Sequence, residues 1–397
     1  MKVLIAGAGI GGLAAALSLH RVGFEVQIFE RAASLGEAGA GIQISPNGAR
    51  VLHALGLEKD LDAIAFRPEA VELRLHKSGL TVARTPLGEA IASRYGFPYY
   101  HIHRADLHGM LENAVRERCG DIVSLGREVT RFEQSNAGVE LEFSDSAKVN
   151  GDAIIGADGI HSRIRAGLLG PEAPELTGHV AWRGVVPAER LRHAGVRPVA
   201  TSWMAPHSHA VTYYLRRGEL VNFVGVTEHA TWRSESWTER GEKSDLLRDF
   251  RDWHPTVRAI VSEIDEPFRW ALFVRKPLPT WSEGRVTLLG DACHPMLPYM
   301  AQGANMAIED GYVLAQCLKM SGDDVAGALA RYEKLRLTRT TRVQAGAQAN
   351  GAMFHLANPL ARLLTYGKMS LASRLAPAKA ARRSDWLMSY DATTQVA

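Results

Sequence analysis

The first glycines of the chain are spaced for holding a phosphate group. Gly7, Gly9 and Gly12 follow the apolar segment Val3-Leu4-Ile5-Ala6 and open a second apolar run that stops at Gly23. In a strand–turn–helix unit, Gly7 would form the tight turn, Gly9 would let the backbone approach a pyrophosphate, and Gly12 would let the helix pack on the strand. The helix N-terminus offers unpaired N–H groups and about half a positive charge to the phosphates. This spacing predicts a dinucleotide site.

An acidic residue ends the next apolar segment. Val26 to Phe29 precede Glu30, whose carboxylate would accept hydrogen bonds from an adenosine ribose. A carboxylate there repels a 2′-phosphate, so FAD or NAD is predicted rather than NADP. Arg31 follows and is counted with the cofactor-binding residues. A signal peptide or membrane span is the alternative, but four glycines interrupt the run and His20-Arg21 stop it short of the roughly 20 residues that cross a bilayer.

Three further charged residues are placed to bind a cofactor. Arg104 lies where a helix running to about residue 118 begins, so its guanidinium can meet an anion. Asp158 and Asp291 each follow the end of an apolar strand, and a carboxylate at that end of a strand suits polyol hydroxyls. Turn or helix N-cap chemistry is the alternative for both aspartates.

His209 and Tyr213 are the sharpest candidates for contact with a substrate. Side chains alternate along a strand, so His209, Val211 and Tyr213 share one face of the strand predicted near 210–215. A neutral histidine can take a proton from a phenol near neutral pH, and a tyrosine can hydrogen-bond a hydroxyl or carboxylate. The alternative is that both are interior sheet residues with ordinary partners.

No metal site is predicted. The spacing of a zinc site is absent from Cys293-His294 and from the histidine pairs at 101/103 and 207/209.

Two sheets are needed to position these residues. Short buried strands that alternate with helices predict an α/β fold with a Rossmann-like FAD-binding domain. From 178 to about 270, apolar and polar residues alternate and aromatic residues are frequent, which predicts a second, antiparallel-sheet substrate domain. A glycine-rich loop at 36–41 follows the second strand, and a hairpin at 71–83 begins the second sheet. The predicted divisions are 1–75, 100–175 and 275–345 for FAD binding, 76–99 and 176–274 for substrate, and 346–397 for C-terminal helices.

The overall composition is that of a cytoplasmic enzyme. The net charge of +3 over 397 residues gives no reason to expect a nucleic-acid partner, and no other stretch is apolar enough to suggest a membrane. The three cysteines form no CxxC pair, which fits a reducing compartment.

Three motifs together resemble the group A FAD-dependent aromatic monooxygenases, the family of para-hydroxybenzoate hydroxylase. They are Gly7–Gly12 with Glu30, Gly156-Ala157-Asp158-Gly159, and Gly290-Asp291-Ala292-Cys293-His294-Pro295. The resemblance covers most of residues 1 to 345. It implies that Asp291 holds the ribityl chain of FAD and that Arg104 lies near the pyrophosphate and ribityl region. Asp158 is implicated around the pyrophosphate and in the use of the nicotinamide nucleotide.

The resemblance also implies where the flavin ring lies. Gly303 and Ala304, at the head of a helix, would direct N–H groups at the flavin N1 and C2 carbonyl and favour the anionic reduced ring. Pro298 and Tyr299 would lie beside the ring on the substrate side. The family's hydroxybenzoate and hydroxynicotinate enzymes carry a similar histidine and tyrosine in the strand of His209 and Tyr213. By this resemblance His209, Tyr213 and Pro298 are counted as the catalytic residues.

The implied activity is that of a single-component monooxygenase. NADH or NADPH would reduce FAD, dioxygen would add as a flavin C4a-hydroperoxide, and the phenolate of a small hydroxylated aromatic carboxylate would take one oxygen atom. A substrate of the salicylate or 3-hydroxybenzoate type is predicted. Attack at the carbon that bears the carboxylate would release carbon dioxide, and attack elsewhere would retain it; both outcomes stay open.

The subfamily patterns match only in part. Gln43 and Tyr299 are predicted to contact substrate, with Trp182 and Arg183 as further candidates for the pocket lining. The 3-hydroxybenzoate 6-hydroxylases tend to share this glutamine and tyrosine, where 6-hydroxynicotinate hydroxylases tend to have histidines. Pro298 matches salicylate hydroxylases instead. A decarboxylative 6-hydroxynicotinate 3-monooxygenase is therefore kept as an alternative.

Two alternatives come from other classes of protein. An NAD-dependent dehydrogenase is disfavoured by Gly290-Asp291, and a flavin-binding protein without hydroxylase turnover is the other. The family has no separate second nucleotide domain, so the choice between NADH and NADPH stays open. A homodimer is a family-level expectation, and the thioredoxin-like domain of phenol hydroxylases is not expected.

Overall fold

The computed structural model describes residues 1–36, 41–228, 239–377, 379 and 382–396. The strands are β1 Lys2–Ala6, β2 Glu25–Glu30, β3 Gly41–Ile44, β4 Ala70–Leu75, β5 Thr81–Pro86, β6 Tyr100–His103, β7 Val123–Leu125, β8 Val129–Ser135, β9 Gly138–Phe143, β10 Lys148–Gly151, β11 Ala153–Gly156, β12 Glu175–Pro187, β13 Ala200–Ala205, β14 Ser208–Leu215, β15 Leu220–Glu228, β16 Phe268–Val274, β17 Ser282–Glu283 and β18 Val286–Leu288. The helices are α1 Ile10–Arg21, α2 Pro46–Ala54, α3 Glu58–Ile64, α4 Gly88–Tyr95, α5 Arg104–Cys119, α6 Arg163–Leu169, α7 Lys243–Asp249, α8 Pro255–Glu263, α9 Gly303–Ser321, α10 Val325–Phe354, α11 Pro359–Leu375 and α12 Asp385–Met388. The predicted α/β class with C-terminal helices is confirmed. Residues 37–40 of the predicted glycine-rich loop lie outside the described residues, as do 378, 380, 381 and 397 of the C-terminal segment.

A six-stranded sheet brings the three sequence motifs to one edge. Its order is β17-β18-β11-β1-β2-β7, and all neighbours are parallel except β17 and β18. Because parallel strands end at the same edge, the residues that follow β1, β11 and β18 lie side by side. β1 is buried from Val3 to Ala6, which explains why this run is apolar throughout. The arrangement is the Rossmann-like sheet that the sequence predicts.

A seven-stranded sheet carries the predicted substrate-facing strands. Its order is β16-β12-β15-β14-β13-β4-β5, antiparallel apart from the β4–β13 pair. Both strands of the hairpin predicted at 71–83 belong to this sheet. The predicted division at residue 75 is corrected accordingly, because it assigns β4 to the FAD-binding part although β4 pairs with β5 and β13. The other divisions stay predictions.

The two faces of the seven-stranded sheet are covered differently. On one face, Trp182 and Trp203 pack with Phe250 and Ile260, which lie in the segment of α7 and α8. The other face packs around Tyr299 and the end of α10. The indole N–H of Trp182 donates to Asp249 at 2.9 Å. Trp182 therefore belongs to the helix-covered face, and its predicted place in the pocket lining is wrong.

A buried charge network joins α9 to α10. Glu309, Asp310 and Arg336 are fully buried, and guanidinium nitrogens of Arg336 lie 2.6 Å from Glu309 Oε2 and 2.7 Å from Asp310 Oδ1. The other oxygen of Asp310, Oδ2, accepts hydrogen bonds from His294 Nε2 at 2.6 Å and from the Gly290 backbone N–H at 3.2 Å. The network thereby fixes the turn after β18 relative to α9.

The long C-terminal helices cover one face of the seven-stranded sheet and its edge at β5. α10 packs against α9 and the turn at Pro298–Met300, and α11 packs against β5. The side chain of Asn358 caps α11 by accepting hydrogen bonds from the N–H groups of Leu360 and Ala361. Among the residues that the structure describes, no helix combines the length and the apolar character that a membrane span requires.

Candidate active site

The glycine turn after β1 has the predicted shape. Gly7 has φ +103°, and a Cβ added to it would lie 2.4 Å from the Ala157 carbonyl oxygen. A Cβ added to Gly12 would lie 2.0 Å from the Gly7 oxygen, because the helix packs directly on the turn. At Gly9, by contrast, no described atom lies within 4 Å of the Cβ position. Gly9 is the N-cap of α1 and no side chain caps that helix, so the backbone there is open to a ligand.

Glu30 is held by the same turn. Its carboxylate accepts hydrogen bonds from the backbone N–H groups of Ala8 and Ala32, both at 2.9 Å. These bonds place Glu30 beside a small cavity that is also lined by Gly7, Arg31 and Asp158. The contact of Glu30 with a ribose stays a prediction.

Asp158 uses one carboxylate oxygen for local structure. Oδ2 accepts hydrogen bonds from the backbone N–H groups of Arg163 at 2.7 Å and Ile164 at 3.2 Å, at the start of α6. This is the N-cap chemistry that the sequence leaves as an alternative. Oδ1 is buried without a hydrogen-bond partner among the described residues. Burial raises the pKa of Asp158, and hydrogen bonds from Ser162 and the backbone oppose that rise.

A cavity of about 340 Å³ connects the glycine turn to the seven-stranded sheet. It extends from Gly9 and Gly11 to the neighbouring strands β14 and β15. The predicted site residues that line it are Gly9, Gln43, Arg104, His209, Tyr213, Asp291, Pro298, Tyr299, Gly303 and Ala304. Gly7, Glu30, Arg31 and Asp158 line the small cavity instead, and Gly12 packs beneath the turn.

Charged side chains line only part of this cavity. Arg104 at the start of α5 and Asp291 after β18 are the charged side chains that the described residues contribute to its lining. The lining from β14 and β15 is neutral and consists of His209, Val211, Tyr213, Val224 and Val226. A ligand on that side would be held by neutral hydrogen-bonding groups and apolar contact.

His209 is a buried residue of β14 with one ring nitrogen engaged. Its Nδ1 lies 2.7 Å from Nε2 of His355, at the end of α10. The rings of His209 and Tyr299 meet edge to face at 5.0 Å. Burial, with smaller contributions from His355 and His179, holds the pKa of His209 well below its usual range. The imidazole is therefore neutral at physiological pH.

Tyr213 and Gln43 lie together on the neutral side of the cavity. Gly41 allows this approach, since a Cβ added to it would lie 2.4 Å from the Tyr213 hydroxyl oxygen. The Tyr99 hydroxyl donates to Gln43 Oε1 at 2.7 Å. Burial raises the pKa of Tyr213, so its hydroxyl stays protonated and can donate a hydrogen bond. The ring of His101 lies 4.6 Å from that of Tyr213.

Pro298 and Tyr299 form a short helical turn at the wall of the cavity. The turn spans Pro298–Met300 and ends at Ala301, which has φ +52°. The Tyr299 hydroxyl lies 2.6 Å from His179 Nδ1. The hydroxyl is thus engaged by the protein, and the ring supplies the surface toward the cavity.

The N-terminus of α9 opens at the cavity. Gly303 begins the helix, and the N-cap residue Gln302 makes no side-chain cap bond, because its amide instead donates to Ser45 Oγ at 3.0 Å. The first N–H groups of α9 and its dipole are therefore available to a bound group.

Arg183, a further candidate for the pocket, lies on β12 directly opposite Val224 of β15, which lines the cavity. Its guanidinium carbon is 5.2 Å from the centre of the Trp270 ring and 5.5 Å from that of Phe268, both on β16. Arg183 is buried by these stacking contacts and is absent from the described cavity lining. Its charge nevertheless lowers the pKa of Tyr213 against the larger effect of burial, and its place at the pocket stays a prediction.

Several residues of the site have no signal in the sequence. His355 lies 146 positions from His209 along the chain, Glu228 ends the neighbouring strand β15, and His179 meets Tyr299 only through the fold. Two groups of side chains each bring possible metal-ligand atoms within 4.8 Å of one another. One group is His179, Glu228 and His355, and the other is Cys293, His294 and Asp310. One hydrogen bond is made within each group, between His355 and Glu228 and between His294 and Asp310. The expected absence of a metal stays a prediction.

Comparison with known proteins gives consistent matches. A family model described as an FAD binding domain matches residues 1–347. A 3-amino-4-hydroxybenzoate 2-monooxygenase of Streptomyces platensis is 40% identical over 374 residues, which are 94% of this chain and 93% of that protein. A 6-hydroxynicotinate 3-monooxygenase of Pseudomonas fluorescens is 38% identical over 348 residues, 86% of this chain and 89% of that protein. A solved salicylate hydroxylase substrate complex has a TM-score of 0.83 and 26% identity, covering 100% of this chain and 97% of that one.

Proposed function

We propose that this chain, which belongs to the FAD-dependent aromatic monooxygenases of the FAD binding domain family, hydroxylates a small hydroxylated aromatic carboxylate. The reductant would be NADH or NADPH. One observation carries the proposal. A neutral, buried histidine, His209, lines the cavity that continues to the glycine turn after β1.

The two cavities suit the parts of FAD. The open space at Gly9 can admit a pyrophosphate, and Glu30 stands where the adenosine ribose would lie. The buried, unpartnered Oδ1 of Asp158 is available to a group in the small cavity. When bound, FAD supplies the redox chemistry that activates dioxygen.

The larger cavity offers matching groups for the rest of FAD. Arg104 and Asp291 would hold the pyrophosphate and ribityl region, because a guanidinium suits phosphate and a carboxylate suits hydroxyls. Gly303 and Ala304 would direct N–H groups of the first turn of α9 at the flavin N1 and C2 carbonyl. Pro298 would lie beside the ring on the substrate side.

Substitution of Gly9 separates cofactor binding from folding. Gly9→Ala is expected to raise the Kd for FAD about 10- to 100-fold, because the methyl group meets the pyrophosphate at a cost of about 1–3 kcal/mol. The Cβ position is open, so the apoprotein should unfold at the wild-type urea concentration. Gly109→Ala, at another open glycine in α5, is the matched control and should bind FAD normally. Unchanged FAD affinity in Gly9→Ala would contradict this placement.

The substrate would bind against β14. His209 would accept the proton of the ring hydroxyl, which makes the ring a better nucleophile toward activated oxygen. Tyr213 and Gln43 would hydrogen-bond the other polar group of the substrate. Because the described lining there contains no lysine or arginine, the carboxylate would be held by neutral donors. The Tyr299 ring would pack against the aromatic ring.

The proposed substrates share a ring hydroxyl and a carboxylate. Salicylate and 3-hydroxybenzoate fit this description, and the names of two relatives add 3-amino-4-hydroxybenzoate and 6-hydroxynicotinate. Attack at the carbon that bears the carboxylate would release carbon dioxide. We further propose a cytoplasmic, homodimeric enzyme; the three free cysteines favour that compartment.

A panel assay tests the proposed function. The FAD-loaded enzyme is supplied with NADH or NADPH and each of these four acids, and both coenzyme oxidation and product mass are measured. We expect at least one acid to accelerate coenzyme oxidation and to yield a product that has gained one hydroxyl group, either with its carboxylate retained or with its carboxylate lost as carbon dioxide. If no acid accelerates oxidation, the flavin-binding alternative without turnover is favoured instead.

A further inference from the structure

A chain of hydrogen bonds leads from the cavity to the protein surface. His209 Nδ1 lies 2.7 Å from His355 Nε2, and His355 Nδ1 lies 3.1 Å from Glu228 Oε1. Glu228 Oε2 lies 2.7 Å from Nδ1 of His207. His209 and His355 are buried, whereas the Glu228 and His207 side chains are 38% and 64% exposed. The chain therefore joins a buried residue of the site to solvent.

We propose that His209, His355 and Glu228 form a proton relay between a hydroxyl group in the cavity and the protein surface. The relay rests on the proposed function, because a phenolic substrate supplies the proton. His209 is the group that touches the substrate. His355 and Glu228 are positioning residues, which act through His209.

The carboxylate at the outer end sets the tautomer of each ring. A carboxylate only accepts hydrogen bonds, so His355 Nδ1 must carry the hydrogen that it donates to Glu228. His355 Nε2 is then an acceptor, and His209 Nδ1 must donate to it. The remaining ring nitrogen of His209, Nε2, is left as an acceptor for a hydroxyl in the cavity.

The proton can move along this chain without rotation of either ring. The substrate O–H bond breaks as an N–H bond forms at His209 Nε2. His209 Nδ1 passes its proton to His355 Nε2, and His355 Nδ1 passes its proton to Glu228 Oε1. The substrate gains one negative charge and Glu228 loses one, so charge is conserved. The reverse transfers return a proton to the product oxygen and restore the starting tautomers.

The surroundings explain why His209 needs a relay. Burial, with smaller contributions from two neighbouring histidines, holds the pKa of His209 well below its usual range, which favours a neutral ring that passes one proton on as it takes another. Burial likewise lowers the pKa of His355 to about 4, so it also stays neutral near pH 7. Burial raises the pKa of Glu228, but hydrogen bonds from His207 and His355 outweigh it, and the net pKa is lowered. Among the residues that the structure describes, His179 and Tyr299 also face this chain, and they bond to each other.

Glu228→Gln tests the relay in the FAD-loaded enzyme with the acid that the wild type hydroxylates. The amide can hydrogen-bond His355 but cannot take its proton. We expect kcat for product formation to fall at least about tenfold at pH 7, within the range for proton-transfer catalysis, while KM and FAD affinity stay near wild type. The deficit should shrink as pH rises, because hydroxide then removes the proton. Glu219→Gln, an exposed carboxylate at the other end of the β14–β15 hairpin, is the matched control and should keep the wild-type profile.

The outcomes separate the relay from the proposed function. A wild type that hydroxylates no acid contradicts the proposed function and, with it, the relay. An active wild type with an equally active Glu228→Gln variant overturns the relay alone. A deficit of constant size from pH 6 to pH 9 also overturns it, since that pattern indicates a structural role.

A measurement on the wild type needs no variant to fold. In protein labelled with ¹⁵N-histidine, long-range ¹H–¹⁵N spectra report which ring nitrogen carries the hydrogen. The relay requires the Nδ1–H tautomer at both His209 and His355 near pH 7. An Nε2–H tautomer at either ring in the substrate-free enzyme would overturn it.

Discussion

Replacing His209 by alanine is expected to slow hydroxylation by roughly 10²- to 10⁴-fold, the usual contribution of a general base. The variant removes the acceptor for the substrate's hydroxyl proton, so the ring must react in its less nucleophilic protonated form. Product formation by the FAD-loaded enzyme is the measurement. FAD binding should persist, because the groups proposed to hold the cofactor belong to other elements of the fold.

A second histidine provides the control for that experiment. His193→Ala changes an exposed histidine in the substrate part of the chain and should leave turnover unchanged. Undiminished hydroxylation by His209→Ala would refute the role of general base. A loss of FAD from the variant would instead indicate that His209 supports the cofactor site.

Replacing Arg336 by methionine is expected to lower the free energy of unfolding by about 3–5 kcal/mol, because two buried carboxylates lose their shared cation. Glu309 and Asp310 keep only part of their hydrogen bonding in this variant. Urea unfolding of the apoprotein measures the effect. Lys334→Met, on the exposed side of α10, is the control and should shift stability by less than about 0.5 kcal/mol. Wild-type stability of Arg336→Met would show that the network contributes nothing net.

Features set by neighbouring residues could be predicted from the sequence. The positive φ of Gly7 and the close approach at Gly12 are local requirements, and both are present. Strand alternation placed His209 and Tyr213 on one face, and both line the cavity. The predicted family and enzyme class are confirmed by a family model that covers residues 1–347 and by relatives named as monooxygenases.

Features set by distant residues could not be predicted in the same way. His355 meets His209 from 146 positions away, and its position after a long basic helix gives no sign of that contact. β4 pairs with a strand that begins at Ala200, which is why a division at residue 75 misplaces it. Trp182 and Arg183 are neighbours in β12 and therefore face opposite sides of the sheet, but which of these sides the helices cover is set by α7 and α8, far along the chain.

The role of Asp158 could be predicted from the sequence only in part. Asp158 lines a small cavity after a strand, as a cofactor-binding residue would, and one of its oxygens also accepts hydrogen bonds at the start of α6, as the structural alternative requires. A single carboxylate has two oxygens, and the sequence does not say how they are divided. The unpartnered Oδ1 shows that the two roles are compatible.

The fate of molecular oxygen tests the central claim most directly. The FAD-loaded enzyme is supplied with NADH or NADPH and the aromatic acid under ¹⁸O₂, and the product and hydrogen peroxide are analysed by mass. We predict one ¹⁸O atom in the product for each coenzyme molecule oxidised. Coenzyme oxidation that yields labelled peroxide and no labelled aromatic product from any acid of the panel would contradict the account.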